Sequence, residues 1–222
     1  MTNPLGVGGF QLLGAPATGK PEGGLSLCRP FDARRGGLVL GEGAAFVVLE
    51  ERERALADGR AIYAEVRGYG SSLDAHALSA PEPGGEGAAR AMLAALRDAA
   101  LPPEAVDHIN AHGTGTFLND PVEARAIRRV FPDSWQRIPV AALKSMTGHA
   151  IAAAGAMEVI ACIYSLARQK VPPNIGLEQV GADCELMHVR EKTEEHPVSC
   201  VLTNSFGFGG QNASLLLVSG NA

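Results

Sequence analysis

The chain has 222 residues, of which 46% are hydrophobic and 19% charged, and its formal net charge is -5. This length and apolar content suffice for one large or two small globular domains with a buried core. The lysines and arginines form no basic stripe, so we expect no nucleic-acid partner. We find no run of about 18 to 20 apolar residues and therefore expect no membrane span and a cytoplasmic protein. The four cysteines contain no Cys-x-x-Cys pair, which argues against a metal site.

Helical and strand-like segments alternate along the chain. The predicted helices cover residues 7–15, 51–58, 87–100, 120–130 and 147–169. The predicted strands cover residues 44–50, 64–71, 106–111, 138–143, 187–189, 197–203 and 213–218. This alternation predicts an α/β layered fold with helices on both faces of the sheet. The helix at 147–169 is so apolar that we expect it to be buried on all sides.

Two histidines follow predicted strands, where α/β folds bind their ligands. His112 enters the sequence Gly113-Thr-Gly-Thr116, whose glycines allow a sharp turn and whose hydroxyls lie beside an imidazole. His149 follows Lys144 by five residues and precedes the apolar helix, whose N-terminus favours negative charge. Two neutral imidazoles that donate N–H bonds to one oxygen would form an oxyanion or enolate site. Each such donor typically contributes about a hundred- to a thousandfold in rate.

A third motif, Asn204-Ser-Phe-Gly-Phe-Gly-Gly210, predicts a glycine-rich turn between two strands, with Phe208 available to cover an apolar channel. A structural interpretation stands beside each functional one. A single histidine at a strand end is more often structural than catalytic, and glycine turns are common in hairpins. His108 and His112 would lie about 13 Å apart on one strand, so they cannot share a metal ion.

Five segments, taken in order, resemble the β-ketoacyl-acyl carrier protein synthase family. They are Arg29-Pro-Phe-Asp32, Gly41-Glu-Gly43, His112-Gly-Thr-Gly-Thr116, Lys144-Ser-Met-Thr-Gly-His149 and Asn204-Ser-Phe-Gly-Phe-Gly-Gly210. The resemblance implies a thiolase-like layered fold with helices packed on a mixed β-sheet, of which this chain would be the C-terminal half. Residues 1–37 would then be a loop-rich remnant of the N-terminal half with a connector, and residues 38–222 the C-terminal ketosynthase domain.

The resemblance also implies an acyltransferase activity. The reaction is the decarboxylative Claisen condensation of a malonyl group on acyl carrier protein with an acyl thioester, in fatty acid or polyketide biosynthesis. No cofactor is implied beyond the phosphopantetheine of the carrier. The implied partners are acyl carrier protein, the N-terminal half or a partner synthase subunit, and a second copy in a homodimer.

The family's functional residues map onto positions that match its motifs. The resemblance implies that His112 and His149 bind the malonyl thioester oxygen and that Lys144 shapes their electric field. Glu158 would be an acid behind Lys144. The implied substrate-binding residues are Thr114, Thr116, Phe208 and Gly209.

The family also uses a nucleophilic cysteine, which belongs to the half that would precede Pro4. None of the four cysteines, Cys28, Cys162, Cys184 and Cys200, has a sequence setting that would lower its pKa. We therefore expect no acyl transfer, and hence no condensation, from this chain by itself. Two alternatives stay open, namely a non-catalytic subunit akin to chain-length factors and a malonyl-carrier decarboxylase that uses only the histidine pair.

Overall fold

The computed structural model describes residues 2–19 and 27–220. Part of the predicted loop-rich segment, at 20–26, lies outside the described residues. The helices are α1 (Pro4–Leu12), α2 (Arg52–Ala57), α3 (Glu86–Ala99), α4 (Asn119–Val130), α5 (Lys144–Thr147) and α6 (Ala154–Arg168). The strands are β1 (Ala64–Leu73), β2 (His108–Asn110), β3 (Pro139–Ala141), β4 (Lys170–Val171), β5 (Met187–His188), β6 (Glu194–Glu195), β7 (Cys200–Gly207) and β8 (Gln211–Ser219).

Six of these strands form one mixed sheet in the order β1-β8-β7-β2-β3-β5. Strands β1, β8 and β7 pair antiparallel, whereas β7, β2, β3 and β5 run parallel. In the parallel part Ile109 lies opposite Leu202 on one side and Val140 on the other. The carboxyl ends of β2, β3 and β7 therefore meet at one edge of the sheet, which is where the sequence places its histidine motifs.

Alternating side chains on the strands form a core on each face of the sheet. Val140, Leu202 and Leu216 pack with α3 and α4 on one face. Their chain neighbours Val201 and Leu217 pack with α6 on the opposite face. Full burial of an aliphatic side chain of this size stabilises the fold by roughly 1.5 to 3 kcal/mol. The predicted layered arrangement, with helices on both faces, is confirmed.

Helix α3 packs unusually close to the sheet because small residues line the contact. A Cβ atom added to Gly68 would lie 2.2 Å from the carbonyl oxygen of Ala95. The helix ends where Ala100 takes a left-handed conformation (φ 53°), and Pro102 follows shortly after. Proline after a helix end is common because it cannot continue the helix.

The predicted strand at 44–50 is wrong, because residues 41–51 form neither helix nor strand. Phe46 and Val48 are 91% and 95% exposed, and Leu49 is 76% exposed. A strand needs a neighbour for its backbone N–H and C=O groups, and the described residues provide none here. Apolar residues at successive positions are typical of a strand covered on both faces.

The predicted helix at 147–169 is also corrected. It is interrupted at Gly148 (φ 67°, ψ -176°), and a 3₁₀ turn at Ile151–Ala153 precedes α6. The expectation that this helix is buried on all sides is also wrong. Only one stripe of α6 is fully buried, and Tyr164 is 62% exposed. The buried stripe consists of Ala154, Glu158, Cys162, Ser165 and Leu166.

By length and composition, the segment Ile151–Arg168 is apolar enough to cross a membrane, contrary to the expectation that the chain has no such segment. One such helix is weak evidence, since core helices of soluble proteins have the same composition. Glu158 on this helix forms a buried ion pair with Lys144, and Cys162 and Leu166 pack against the sheet. These contacts are those of a core helix.

Candidate active site

The structure brings the two predicted histidines together at the carboxyl edge of the parallel strands. His112 follows β2, and His149 lies between α5 and α6. Their ring centroids are 5.4 Å apart and the rings are nearly perpendicular, with an angle of 83°. Phe206, near the end of β7, lies 5.6 Å from the His112 ring. An imidazole pair with an aromatic wall thus occupies the edge where ligands bind in α/β folds.

Lys144 lies fully buried behind the His112 ring. Its Nζ lies 2.5 Å from Oε1 of Glu158, 2.6 Å from the carbonyl oxygen of His112 and 3.2 Å from His112 Nδ1. An ammonium group has three N–H donors and no acceptor. Each of the three donors therefore has one acceptor.

This arrangement fixes the tautomer of His112. Because the ammonium of Lys144 can only donate, Nδ1 of His112 must accept, and the ring proton is on Nε2. The same holds for His149, whose Nδ1 accepts a bond from the backbone N–H of Ile151 at 3.1 Å. Both imidazoles are then neutral, and neither Nε2–H has a hydrogen-bond partner among the described residues.

Burial keeps both rings uncharged. Desolvation, reinforced by the positive charge of Lys144, lowers the pKa of His149 to about 3. The same two causes, with a smaller contribution from His149, hold the pKa of His112 well below its usual value. Near neutral pH the pair can donate hydrogen bonds to an oxygen without carrying charge.

Glu158 holds the ammonium of Lys144 from the opposite side. Burial raises the pKa of Glu158, and the charge of Lys144 opposes that shift. Of the buried side-chain nitrogen and oxygen atoms that the structure describes, only Oε2 of Glu158 has no hydrogen-bond partner. The pair therefore rests on a single ion-pair contact through Oε1.

Two buried acids that are not among the predicted site residues shape the histidine loop. Glu123 accepts the backbone N–H groups of His112 at 2.7 Å and Gly113 at 2.8 Å. Asp120 accepts the backbone N–H groups of Gly115 and Phe31. Both acids lie in the first half of α4, directly after the glycine motif. The sequence signal for these acids is their spacing, because two residues three positions apart lie on the same face of a helix.

Burial raises the pKa of both acids. It raises the pKa of Glu123 to about 7, although the N–H groups of Gly113 and His112 favour the charged form. The side-chain amides of Asn204 and Asn119 donate to the same carboxylate at 3.3 and 3.4 Å. All four described partners are donors, so the loop geometry fits the ionised carboxylate.

The two histidines face a cavity of about 590 Å³. Thr114 and Thr116 also line it, and their hydroxyl oxygens are 2.9 Å apart. The Thr116 hydroxyl further accepts the backbone N–H of Asn119 at 3.2 Å. Both predicted threonines therefore lie on the cavity wall next to the imidazole pair.

Phe208 and Gly209 lie in the turn that joins β7 and β8. The Phe208 ring lines the cavity and packs against Phe10 of α1, with centroids 6.2 Å apart. Gly209 has a φ of 82°, a conformation that favours glycine, and its N–H donates to the carbonyl oxygen of Leu78 at 2.6 Å. The Gly209 amide is therefore engaged by the 74–85 loop, while Phe208 faces the cavity.

The four cysteines are buried thiols outside this cavity. Burial raises the pKa of Cys28 to about 11 and those of Cys162, Cys184 and Cys200 to about 12. None has the lowered pKa that a nucleophilic thiolate needs. Within residues 2–19 and 27–220, no group of three or more His, Cys, Asp or Glu residues could hold a metal ion.

Family models match most of this chain, and known proteins match almost its whole length. The model described as Beta-ketoacyl synthase, C-terminal domain, matches residues 63–178, and the one described as Beta-ketoacyl synthase, N-terminal domain, matches residues 1–55. A "3-oxoacyl-[acyl-carrier-protein] synthase 2" of Coxiella burnetii is 45% identical over 218 residues, which are 97% of this chain and 52% of the relative. The chain spans about half the length of the curated relatives it matches.

The solved structures that match this chain are also ketosynthases. A ketosynthase complex described as a type II PKS acyl-carrier protein "in complex with its ketosynthase bound to the hexaketide" matches with a TM-score of 0.95 and 36% identity, over 98% of this chain and 53% of that one. "The ishigamide ketosynthase/chain length factor" matches with a TM-score of 0.89 and 40% identity, over 97% and 51%. These neighbours confirm the expected thiolase-like α/β fold. With its motifs meeting at the edge formed by β2, β3 and β7, the chain belongs to the beta-ketoacyl synthase family.

Proposed function

We propose that this chain provides the malonyl-binding and decarboxylating part of a 3-oxoacyl-[acyl-carrier-protein] synthase. The observation that carries the proposal is the tautomer of the histidine pair. In both His112 and His149, Nδ1 accepts a hydrogen bond from the protein, which leaves both Nε2–H groups as donors. Two neutral N–H donors on one cavity wall suit an oxygen that gains negative charge during a reaction.

In the proposed step the thioester carbonyl oxygen of a malonyl group accepts both Nε2–H bonds. The bond between the malonyl α-carbon and the carboxylate carbon breaks, and carbon dioxide leaves. The electron pair of that bond forms the carbon–carbon double bond of an enolate, and the negative charge moves to the oxygen held by the histidines. No proton transfer is needed, which agrees with rings that stay neutral near pH 7.

Lys144 strengthens the donor nearest to it. Its ammonium donates to His112 Nδ1, and hydrogen bonds in a chain polarise one another. The positive charge also lies behind the oxygen that becomes negative. Because Glu158 holds the other side of the ammonium, the charge cannot move toward the cavity.

In the whole enzyme, the enolate carbon would attack an acyl thioester on a cysteine, forming a carbon–carbon bond and releasing the thiolate. That cysteine would come from outside the present residues, because all four thiols of this chain are buried with raised pKa values. The relatives are about twice as long, and one structural neighbour is described as a ketosynthase with its acyl-carrier protein. We therefore propose acyl carrier protein as the substrate carrier and a second ketosynthase segment as a partner.

A chain-length-factor role is the second candidate, because one structural neighbour is a ketosynthase/chain length factor pair. The histidine pair and the Lys144–Glu158 ion pair favour the catalytic role. A purely structural subunit has no need for two N–H donors on one cavity wall or for a buried ammonium behind them.

Release of carbon dioxide from malonyl-acyl carrier protein tests the proposal. We expect the wild-type chain to release it, and His112→Ala and His149→Ala each to slow release about a hundred- to a thousandfold. His196→Ala, outside the cavity, is the matched control and should keep the wild-type rate. An inactive wild-type chain, or full activity in both site variants, would overturn the proposal.

A further inference from the structure

Asn174 binds the backbone of the segment that leads to Lys144. Its side chain is fully buried. The Oδ1 atom accepts the N–H of Ala142 at 2.5 Å, and Nδ2 donates to the carbonyl oxygen of Val140 at 3.1 Å. In a parallel sheet, a residue of the neighbouring strand makes this same pair of bonds, to the C=O and N–H groups that flank the residue opposite it. The amide of Asn174 therefore takes the place of a strand residue beyond the end of β5.

Ala142 links this amide to both members of the histidine–lysine contact. Its carbonyl oxygen accepts the N–H of Ser145 at 3.1 Å, a bond that closes the turn around Lys144. On the opposite side it packs closely on the histidine loop, since a Cβ atom added to Gly113 would lie 2.5 Å from the Cβ of Ala142. Gly113 directly follows His112 in the chain. A shift of Ala142 would therefore change the separation of Lys144 and His112.

The residues on either side of Asn174 bind the same turn. The buried hydroxyl of Ser145 accepts the backbone N–H of Ile175 at 3.0 Å and donates to the carbonyl oxygen of Pro173 at 3.4 Å. Helix α5, which begins at Lys144, has four residues, and so short a helix is not stable by itself. Its position is therefore set by contacts with residues 173–175.

We infer that Asn174 is a positioning residue that sets the distance between Lys144 and His112. By fixing Ala142, its amide keeps Nζ of Lys144 3.2 Å from Nδ1 of His112 and the ring proton on Nε2. Asn174 does not line the cavity, so it acts through these two side chains and not through a contact with the substrate. The inference rests on the proposed function for its effect on rate, whereas the tautomer can be measured without a substrate.

Asn174→Ala removes both side-chain bonds and leaves the buried N–H of Ala142 without its acceptor. In NMR spectra of the substrate-free chain with ¹⁵N-labelled histidine, we expect the Nδ1 signal of His112 to shift toward the protonated position. His112→Ala identifies that signal by its loss. Carbon dioxide release from malonyl-acyl carrier protein should slow about tenfold in kcat, with KM within about twofold of wild type.

Asn174→Asp provides a second test that pH controls. A neutral carboxylic acid can accept the N–H of Ala142 and donate to Val140 as the amide does, whereas a carboxylate cannot donate. Burial favours the neutral form. The ratio of the variant's rate to the wild-type rate should therefore rise about fivefold as pH falls from 8.5 to 6, and the wild-type Nδ1 signal of His112 should return with it.

The titratable group that faces Asn174 does not change its charge in this range. His188 Nδ1 lies 3.5 Å from Nδ2 of Asn174, and burial lowers the pKa of His188 to about 4. Gln169→Ala is the matched control. The Gln169 amide also binds backbone groups, since it accepts the N–H of Val198 at 2.9 Å and donates to its carbonyl oxygen at 2.8 Å. This variant should lower the thermal midpoint and leave the His112 signal and kcat unchanged.

Three outcomes would overturn the inference. A wild-type Nδ1 signal in Asn174→Ala would show that the amide does not set the tautomer. The same shift in Gln169→Ala would show that any loss of stability disturbs the site. A rate ratio for Asn174→Asp that does not depend on pH would exclude the two backbone bonds, and this variant decides the matter if Asn174→Ala does not fold. The expected NMR shifts in a chain that releases no carbon dioxide would support the positioning role and contradict the proposed function.

Discussion

The ammonium of Lys144 lies 3.2 Å from Nδ1 of His112 and thereby fixes which nitrogen of that ring holds the proton. The two residues are 32 positions apart in sequence and come together because β2 and β3 are parallel neighbours. Without this contact, either ring nitrogen of His112 could be protonated. The lysine is therefore a positioning residue for the proposed oxygen-binding pair.

We expect Lys144→Met to lower the rate of carbon dioxide release and to destabilise the fold. It removes the donor to Nδ1 and leaves Glu158 buried and unpaired, which typically costs about 3 to 5 kcal/mol. The double variant Lys144→Met/Glu158→Gln should recover much of that free energy of unfolding but not the rate. Urea denaturation and the release assay measure the two effects. Wild-type rates in the double variant would contradict the role of Lys144.

Glu123 should make the reaction depend on pH. Its pKa is raised to about 7, so the charged form that accepts the N–H groups of His112 and Gly113 is lost as pH falls through that value. We expect the rate to fall below pH 7. Glu123→Gln places an NH₂ group against a buried N–H donor, which lowers the stability of the loop geometry by about 1 to 3 kcal/mol. The substitution should therefore slow the reaction at pH 8.

A rate profile from pH 6 to 8.5 checks this expectation. The Glu123→Gln profile should be flat over the range where the wild-type rate changes. Glu53→Gln, at an exposed position on α2, should retain the wild-type profile. A pH-dependent step that persists in Glu123→Gln would assign the titration to another group.

His108 should make stability depend on pH. It is buried, its Nδ1 donates to the carbonyl oxygen of Pro139 at 2.9 Å, and burial lowers its pKa to about 4. The unfolded chain, with a histidine pKa of about 6.5, binds the proton first as pH falls. The neutral His108 ring therefore makes its full contribution to the free energy of unfolding above about pH 6.5. This contribution is lost as pH falls toward 4.

We expect His108→Asn, which keeps a donor toward Pro139, to reduce this dependence. Between pH 7 and pH 5 its free energy of unfolding should fall about 2 kcal/mol less than that of the wild type. Urea denaturation at pH 7, 6 and 5 gives both values. Parallel curves for the two proteins would contradict a neutral, buried His108.

The exposed run at 44–50 should promote self-association. Phe46 and Val48 expose large apolar side chains on a segment whose backbone has no strand partner within the described part of the chain, and such segments are prone to pair with other chains. Phe46→Ser/Val48→Ser should lower the concentration-dependent light scattering of the purified chain. Arg67→Ser, at an exposed position of β1, is a surface control. Unchanged scattering in the double variant would place the association elsewhere.

Most elements could be predicted because their apolar spacing is local. The predicted helices at 87–100 and 120–130 are close to α3 and α4, and the predicted strand at 64–71 lies within β1. The run at 44–50 has the pattern of a strand, yet a strand also requires a partner. The two-residue strands β4 and β6 were missed because they are too short to show a periodicity.

The candidate site was only partly predictable for a related reason. His112, Lys144 and His149 stand in recognisable motifs next to glycines, so sequence and family resemblance pointed to them. Glu123 and Asp120 looked like ordinary acids on a helix surface. Their burial follows from how α4 packs behind the histidine loop.

By itself, the sequence determined the α/β class, the order of most elements and the family, because these depend on residue spacing within short segments. Only the tertiary structure decided which protons the histidines hold, since the hydrogen-bond donors to their Nδ1 atoms are Lys144 and the backbone of Ile151. It also decided that Glu123 is buried with a raised pKa. Protonation and burial depend on groups distant in sequence, and folding alone brings those groups within hydrogen-bond distance.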